Sequence, residues 1–197
     1  MAAEKDKRHG EAQASHGRSV YLRTGREQTR GGKRMATEAT PLSAEFRLDV
    51  QEFYFRYAEC LDGGRLQHWP EFFLDACVYR IGTRRALRGD GEDDLMFLNG
   101  KTAMRDRLVA IGQSEDYEPH QQRHTISNFR IQSAGPEELR VQANFQVLRT
   151  YPERPTEGFL SGYYLDRVAV AGTRLNFREK LCVLDSEVAP RALVYPI

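Results

Sequence analysis

The sequence predicts an α+β fold, with N-terminal helices packed on one face of a curved, mostly antiparallel sheet. Two patterns carry that reading. From Leu139 to Val147 the apolar residues Leu139, Val141, Ala143, Phe145 and Val147 alternate with Arg140, Gln142, Asn144 and Gln146, the period of two that a half-buried strand satisfies. Upstream, Phe46, Val50, Phe53, Tyr54, Tyr57, Ala58 and Leu61 recur at spacings of three and four, one apolar stripe along a helix. Helices first and strands second is the element order of an α+β domain.

In chain order, Thr40-Pro41 reads as an N-cap followed by proline at the first helical position, and the helix ends near Asp62-Gly63-Gly64. A short helix around Trp69 covers 66–73, and Cys77 to Ile81 reads as a brief strand. Gly82 to Asp94 is a polar loop, with Arg84, Arg85 and Arg88 set against Asp90, Glu92, Asp93 and Asp94. Lys101 to Ile111 forms a third helix, Ala103, Met104, Leu108 and Ile111 facing inward. From Gln122 to Asp185 come three or four strands, separated by connectors at 134–138, 151–158 and 171–173 that carry Gly and Pro. In the last strand Leu175, Phe177, Leu181 and Val183 are expected inward, with Arg174, Asn176, Arg178 and Lys180 outward. Glu179 interrupts that row, so it is either edge-exposed or a paired buried carboxylate.

Composition limits what the chain does. Nine of its 29 Lys/Arg and four of its 28 Asp/Glu lie in residues 1–34, leaving 20 against 24 thereafter. A basic leader on a mildly acidic domain gives no reason to expect nucleic acid at the domain. Residues 1–34 are too polar to offset chain entropy and read as a disordered leader or a mis-called start, with Met35 opening a plausible shorter protein. Residues 35–197 then form a single domain. Cys60, Cys77 and Cys182 sit in apolar segments at irregular spacing, as buried thiols of a cytoplasmic protein do. No apolar run reaches transmembrane length.

Few residues invite chemistry. Asp116, His120 and His124 would align on a helix, but Pro119 disfavours one there. On a strand, histidines four apart sit about 13 Å from each other, too far to share an ion. No Cys is followed two or three residues later by His, as a Rieske cluster requires. Phosphate-loop and nucleophile-elbow motifs are absent too. The chain therefore reads as having no catalytic, cofactor-binding or metal residue of its own. One pocket remains as an alternative. His124, Ile126 and Asn128 would share a strand face, with Tyr57 and Asp62 at the wall. An Asp62–His124 pair there would suit a stand-alone dehydratase, cyclase or isomerase. The plainer reading is a core histidine hydrogen-bonded to a helix-terminal aspartate.

FYFRYAECLDGGRLQHWPEFFLDACVYRI (53–81), RHTISNFRI (123–131), GYYLDR (162–167) and LCVLDSEVAPRALVYPI (181–197) occur in that order. Together they resemble the small (β) subunit of aromatic-ring-hydroxylating Rieske oxygenases, from about Leu48 to Ile197. The likeness is strongest to the branch acting on aromatic acids, such as terephthalate and anthranilate dioxygenases and salicylate 5-hydroxylase. The resemblance implies a cone-like fold similar to nuclear transport factor two. It implies a mainly structural role in aromatic catabolism, in a heterohexamer of three small and three large subunits. The large subunit would hold the Rieske iron-sulfur cluster and the mononuclear iron, and a separate reductase would supply electrons.

Overall fold

The structure is a computed structural model and describes residues 42–88, 94–113, 119–135, 137–188 and 193–197. The leader at 1–34, Thr40-Pro41, Asp90, Glu92, Asp93, Asp116 and Pro136 lie outside the described residues.

Helix α1 (Ala44–Asp62) begins three residues later than the Thr40-Pro41 signal suggests. Ser43 is the N-cap, its Oγ accepting from the Phe46 N–H at 3.1 Å. That bond satisfies one of the amides a helix start leaves open. The expected stripe is the buried face: Val50, Phe53, Tyr54, Tyr57, Ala58 and Leu61. At the far end the Gly63 N–H bonds back to Glu59, and Gly64 adopts φ 65°, a left-handed turn that glycine takes without strain. A 3-10 helix (Leu66–Phe72) then buries Trp69 and Pro70.

The sheet has six strands in the order β2-β1-β6-β5-β4-β3. Their ranges are β1 Phe73–Thr83, β2 Met96–Asn99, β3 Gln121–Ala134, β4 Glu138–Thr150, β5 Glu157–Ala171 and β6 Arg174–Leu184. Among the described residues only the β1–β6 pair is parallel. Helix α3 (Gly100–Gly112) follows β2 and buries Met104 and Ile111. β1 is longer than the five residues expected, because Phe73 already pairs with Phe177 across an irregularity before Val78. The polar run after it is not all loop: Arg84–Arg88 form a short helix, α2. Arg84 of this helix pairs outside the run, reaching Asp185 at 2.6 Å, while Arg80 of β1 grips Asp94 through two 2.9 Å bonds.

β4 keeps the alternation that the sequence displays, with all five apolar residues buried. β6 does not. Val168 opposes Phe177 and Arg167 opposes Glu179, so Arg178 is an extra, bulged residue. The bulge reverses parity beyond it. Lys180, expected outward, is fully buried, together with Cys182 and Leu184 in the core. Glu179, at the break, reaches Arg167 at 3.9 Å and is not a core residue.

Edge-to-face rings fill the space between helices and sheet. Phe177 meets Tyr54 and Tyr57, and Trp69 meets Tyr79 at 5.0 Å, while Phe145 stacks on Tyr164 at 4.5 Å. Such pairs add about 0.5–1.5 kcal/mol each beyond burial. Gly162 permits one close approach: a Cβ there would lie 2.0 Å from the Val183 carbonyl oxygen and 3.0 Å from Phe145.

Candidate functional site

Asp62 closes α1 and His124 sits on β3, 62 residues apart in sequence, and the fold joins them. His124 Nδ1 lies 2.6 Å from Asp62 Oδ1, and the His124 backbone N–H is 3.0 Å from both carboxylate oxygens. Both side chains are buried, at 0% and 9% exposure. With Asp62 ionised, Nδ1 is the donor and the far nitrogen, Nε2, faces the interior. Nε2 has no hydrogen-bond partner among the described residues. A carboxylate behind an imidazole is the arrangement of an acid–base pair. The same bonds also tie the end of a helix to an edge strand.

Of the other two pocket candidates, one lies on the surface and one in the core. Asn128 is exposed, because β3 carries a bulge at this point: Ser127 opposes Asn144, Arg130 opposes Gln142, and Asn128 has φ 53°. Asparagine is among the few residues that tolerate this left-handed conformation. Phe129 turns inward in its place and packs edge-on against Tyr54 at 5.2 Å. Tyr57 is fully buried, and its hydroxyl donates to the Ile197 carbonyl at 2.9 Å. His120, the other histidine weighed as a ligand, lies between the Tyr151 and Tyr195 rings, next to Gln122. It borders a cleft of about 180 Å³ that Asp62, Gly64, Tyr195 and Pro196 also line. Among the described residues no three His, Cys, Asp or Glu side chains come together as a metal ion would need.

Deeper in the cone is a polar cluster hidden from sequence reading by the β6 bulge. Lys180 Nζ lies 3.1 Å from Asp166 Oδ2, and both side chains are fully buried. Tyr54 donates to the same oxygen at 2.6 Å, and the Leu181 N–H donates to the other at 3.2 Å. The ammonium also rests 3.2 Å from the centre of the Tyr164 ring, with Phe177 and Tyr57 at 4.6 and 4.7 Å, a cation held by ring faces. Burial pushes the Asp166 carboxyl up, against the downward pull of Lys180. It also pushes Tyr54, Tyr57, Tyr79 and Tyr164 well above their ordinary value and the Cys182 thiol up to about 12. A thiol so protonated is no nucleophile. No local pattern announces this cluster, since Lys180 stands in a strand that also carries Arg174, Asn176, Arg178 and Glu179.

The family model described as the ring hydroxylating beta subunit matches residues 56–191. The chain belongs to the ring-hydroxylating β-subunit family. This β subunit is 28% identical over 151 residues to the β1 subunit of the terminal oxygenase component of terephthalate 1,2-dioxygenase from a Comamonas species. That match spans 76% of this chain and 97% of the relative. It is 27% identical to the anthranilate 1,2-dioxygenase small subunit of Burkholderia cepacia, spanning 72% and 88%. Among solved structures it is similar to a β subunit assigned to an aromatic-ring-hydroxylating dioxygenase of Novosphingobium aromaticivorans. There the TM-score is 0.68 at 25% identity, over 75% of this chain and 93% of that one. The helices and curved six-stranded sheet thus make the cone of the nuclear transport factor two type. The role is that of the small subunit in an oxidoreductase complex.

Proposed function

We propose that this β subunit is a non-catalytic scaffold of a cytoplasmic heterohexamer, three small subunits with three large ones, that hydroxylates an aromatic acid. Its domain spans residues 35–197. The Rieske cluster and mononuclear iron sit in the large subunit, which a separate reductase serves. Neither Asp62 nor His124 transfers a proton to substrate in this reading; the pair fastens α1 to β3. Tyr57 and Asn128 take no part in chemistry either.

The observation that carries the reading is the match of residues 56–191, nearly the whole cone, to a family of β subunits. The relatives' aromatic-acid names favour that substrate class. The use of the Tyr57 hydroxyl on Ile197 also argues against an open substrate pocket at that wall. The test is co-expression with the cognate large subunit, followed by native mass measurement. Equal numbers of both chains, three of each, are expected. A β subunit that stays apart from the large subunit at micromolar concentrations, or turns over an aromatic substrate alone, refutes the proposal.

A further inference from the structure

We propose that the cone contains a peptide-binding site, filled in cis by Leu193–Ile197, and that it recognises an extended Tyr-Pro-Ile peptide by its backbone. Three buried side chains from three elements converge on Ile197. Tyr79 of β1 accepts from the Ile197 N–H at 2.8 Å and donates to its carbonyl at 3.1 Å. Tyr57 of α1 donates to the same carbonyl at 2.9 Å, and the Cys182 thiol of β6 approaches it at 3.5 Å. Trp69 backs this group, its indole N–H 3.3 Å from the Tyr57 hydroxyl. The Ile197 side chain is fully buried among the same rings.

Upstream, the Arg107 guanidinium of α3 donates to the Leu193 and Val194 carbonyls at 3.1 and 2.9 Å. Pro196 is buried, and the Tyr195 ring stands edge-on to His120 at 5.6 Å. Hydroxyls and an indole N–H in an aromatic interior are costly to leave unpaired. Here the two hydroxyls are satisfied by one residue's main-chain amide and carbonyl, and the indole N–H by the Tyr57 hydroxyl. A site built this way reads peptide backbone and one aliphatic anchor. Proline restricts the segment in advance and lowers the entropy lost on docking. The proposal needs no large subunit, so its test is separate from that of the assembly.

The test has two arms. In the first, the chain is ended at Val194 and its melting temperature and the fluorescence of its single tryptophan, Trp69, are followed. Truncation is expected to lower the melting temperature by roughly 5–10 °C, a few per cent of such a domain's unfolding enthalpy. Synthetic Tyr-Pro-Ile, the segment removed, at up to about millimolar concentration, is expected to restore both signals saturably. The same peptide with aspartate in place of isoleucine should not. An unchanged melting temperature, or no response of the folded truncated chain to peptide, overturns the proposal. Where the truncated chain does not fold, the second arm decides. Arg107→Gln in the full chain keeps the segment and weakens its upstream anchor. Hydrogen exchange at the Ile197 amide is expected to quicken at least about tenfold, the equivalent of 1.4 kcal/mol of local opening, while amides at the centre of β4 stay protected. Unchanged exchange at Ile197 overturns the proposal.

Discussion

Lys180→Met isolates the most consequential interaction in the cone. The substitution keeps length and volume but leaves Asp166 fully buried, with only Tyr54 and the Leu181 N–H as partners. Removing one partner of a buried ion pair typically costs about 3–5 kcal/mol. At about 2–4 °C per kcal/mol for a domain of this size, the melting temperature falls by roughly 6–20 °C. The pH dependence gives the loss a signature. Asp166 has its carboxyl raised above its ordinary value of 3.8 even with Lys180 present, and without the ammonium it rises further. A folded state that holds a proton more tightly than the unfolded one loses stability as pH rises from the unfolded value to the folded one. The deficit of Lys180→Met is therefore smallest in acid and grows as pH rises. Replacing the whole cluster, as Lys180→Met/Asp166→Leu/Tyr54→Phe, should recover most of the loss, because apolar replacement of a buried pair is often neutral or better. Circular dichroism melts at several pH values read all of this. A single variant within about 2 °C of the parent, or a deficit that does not vary with pH, refutes the reasoning.

Gly162→Ala places a Cβ 2.0 Å from the Val183 carbonyl oxygen, so β5 and β6 must separate. A loss of about 1–3 kcal/mol is expected in urea melts, the usual cost of overpacking. Glu138 is held below its ordinary carboxyl value, chiefly by its hydrogen bonds to Arg167. Its contribution is therefore present above that ordinary value of 4.5 and lost as pH falls through the depressed one. Stability of Glu138→Gln measured from pH 6 downward should show a shallower acid limb than the parent.

The sequence displays the fold where a strand runs regularly and hides it where a strand slips. On β4 every inward residue from Leu139 to Val147 is apolar and its register with β5 is regular over that span, so period two suffices. On β6 a single extra residue, Arg178, inverts the pattern. Local sequence does not reveal it, because the bulge answers to the partner strand. The same limit separates Asn128 from His124. Asp62 and His124 were legible as a pair because each ends or opens an element that the periodicity locates. Asp166 and Lys180 were not, since their burial depends on two strands and a bulge at once. The role of Ile197 was equally out of reach, being fixed by tyrosines more than a hundred residues upstream.

The central claim is that this β subunit shapes an oxygenase without performing its chemistry. Turnover of the reconstituted complex, with large subunit and reductase, tests it through Asp62→Asn and His124→Gln. Rates are normalised to assembled complex, because a weakened cone lowers activity merely by failing to associate. Each variant is expected to keep turnover within about tenfold of the parent, a barrier change below 1.4 kcal/mol. A loss on the order of 10²–10⁴ with assembly intact, the scale of a missing general acid or base, contradicts the account.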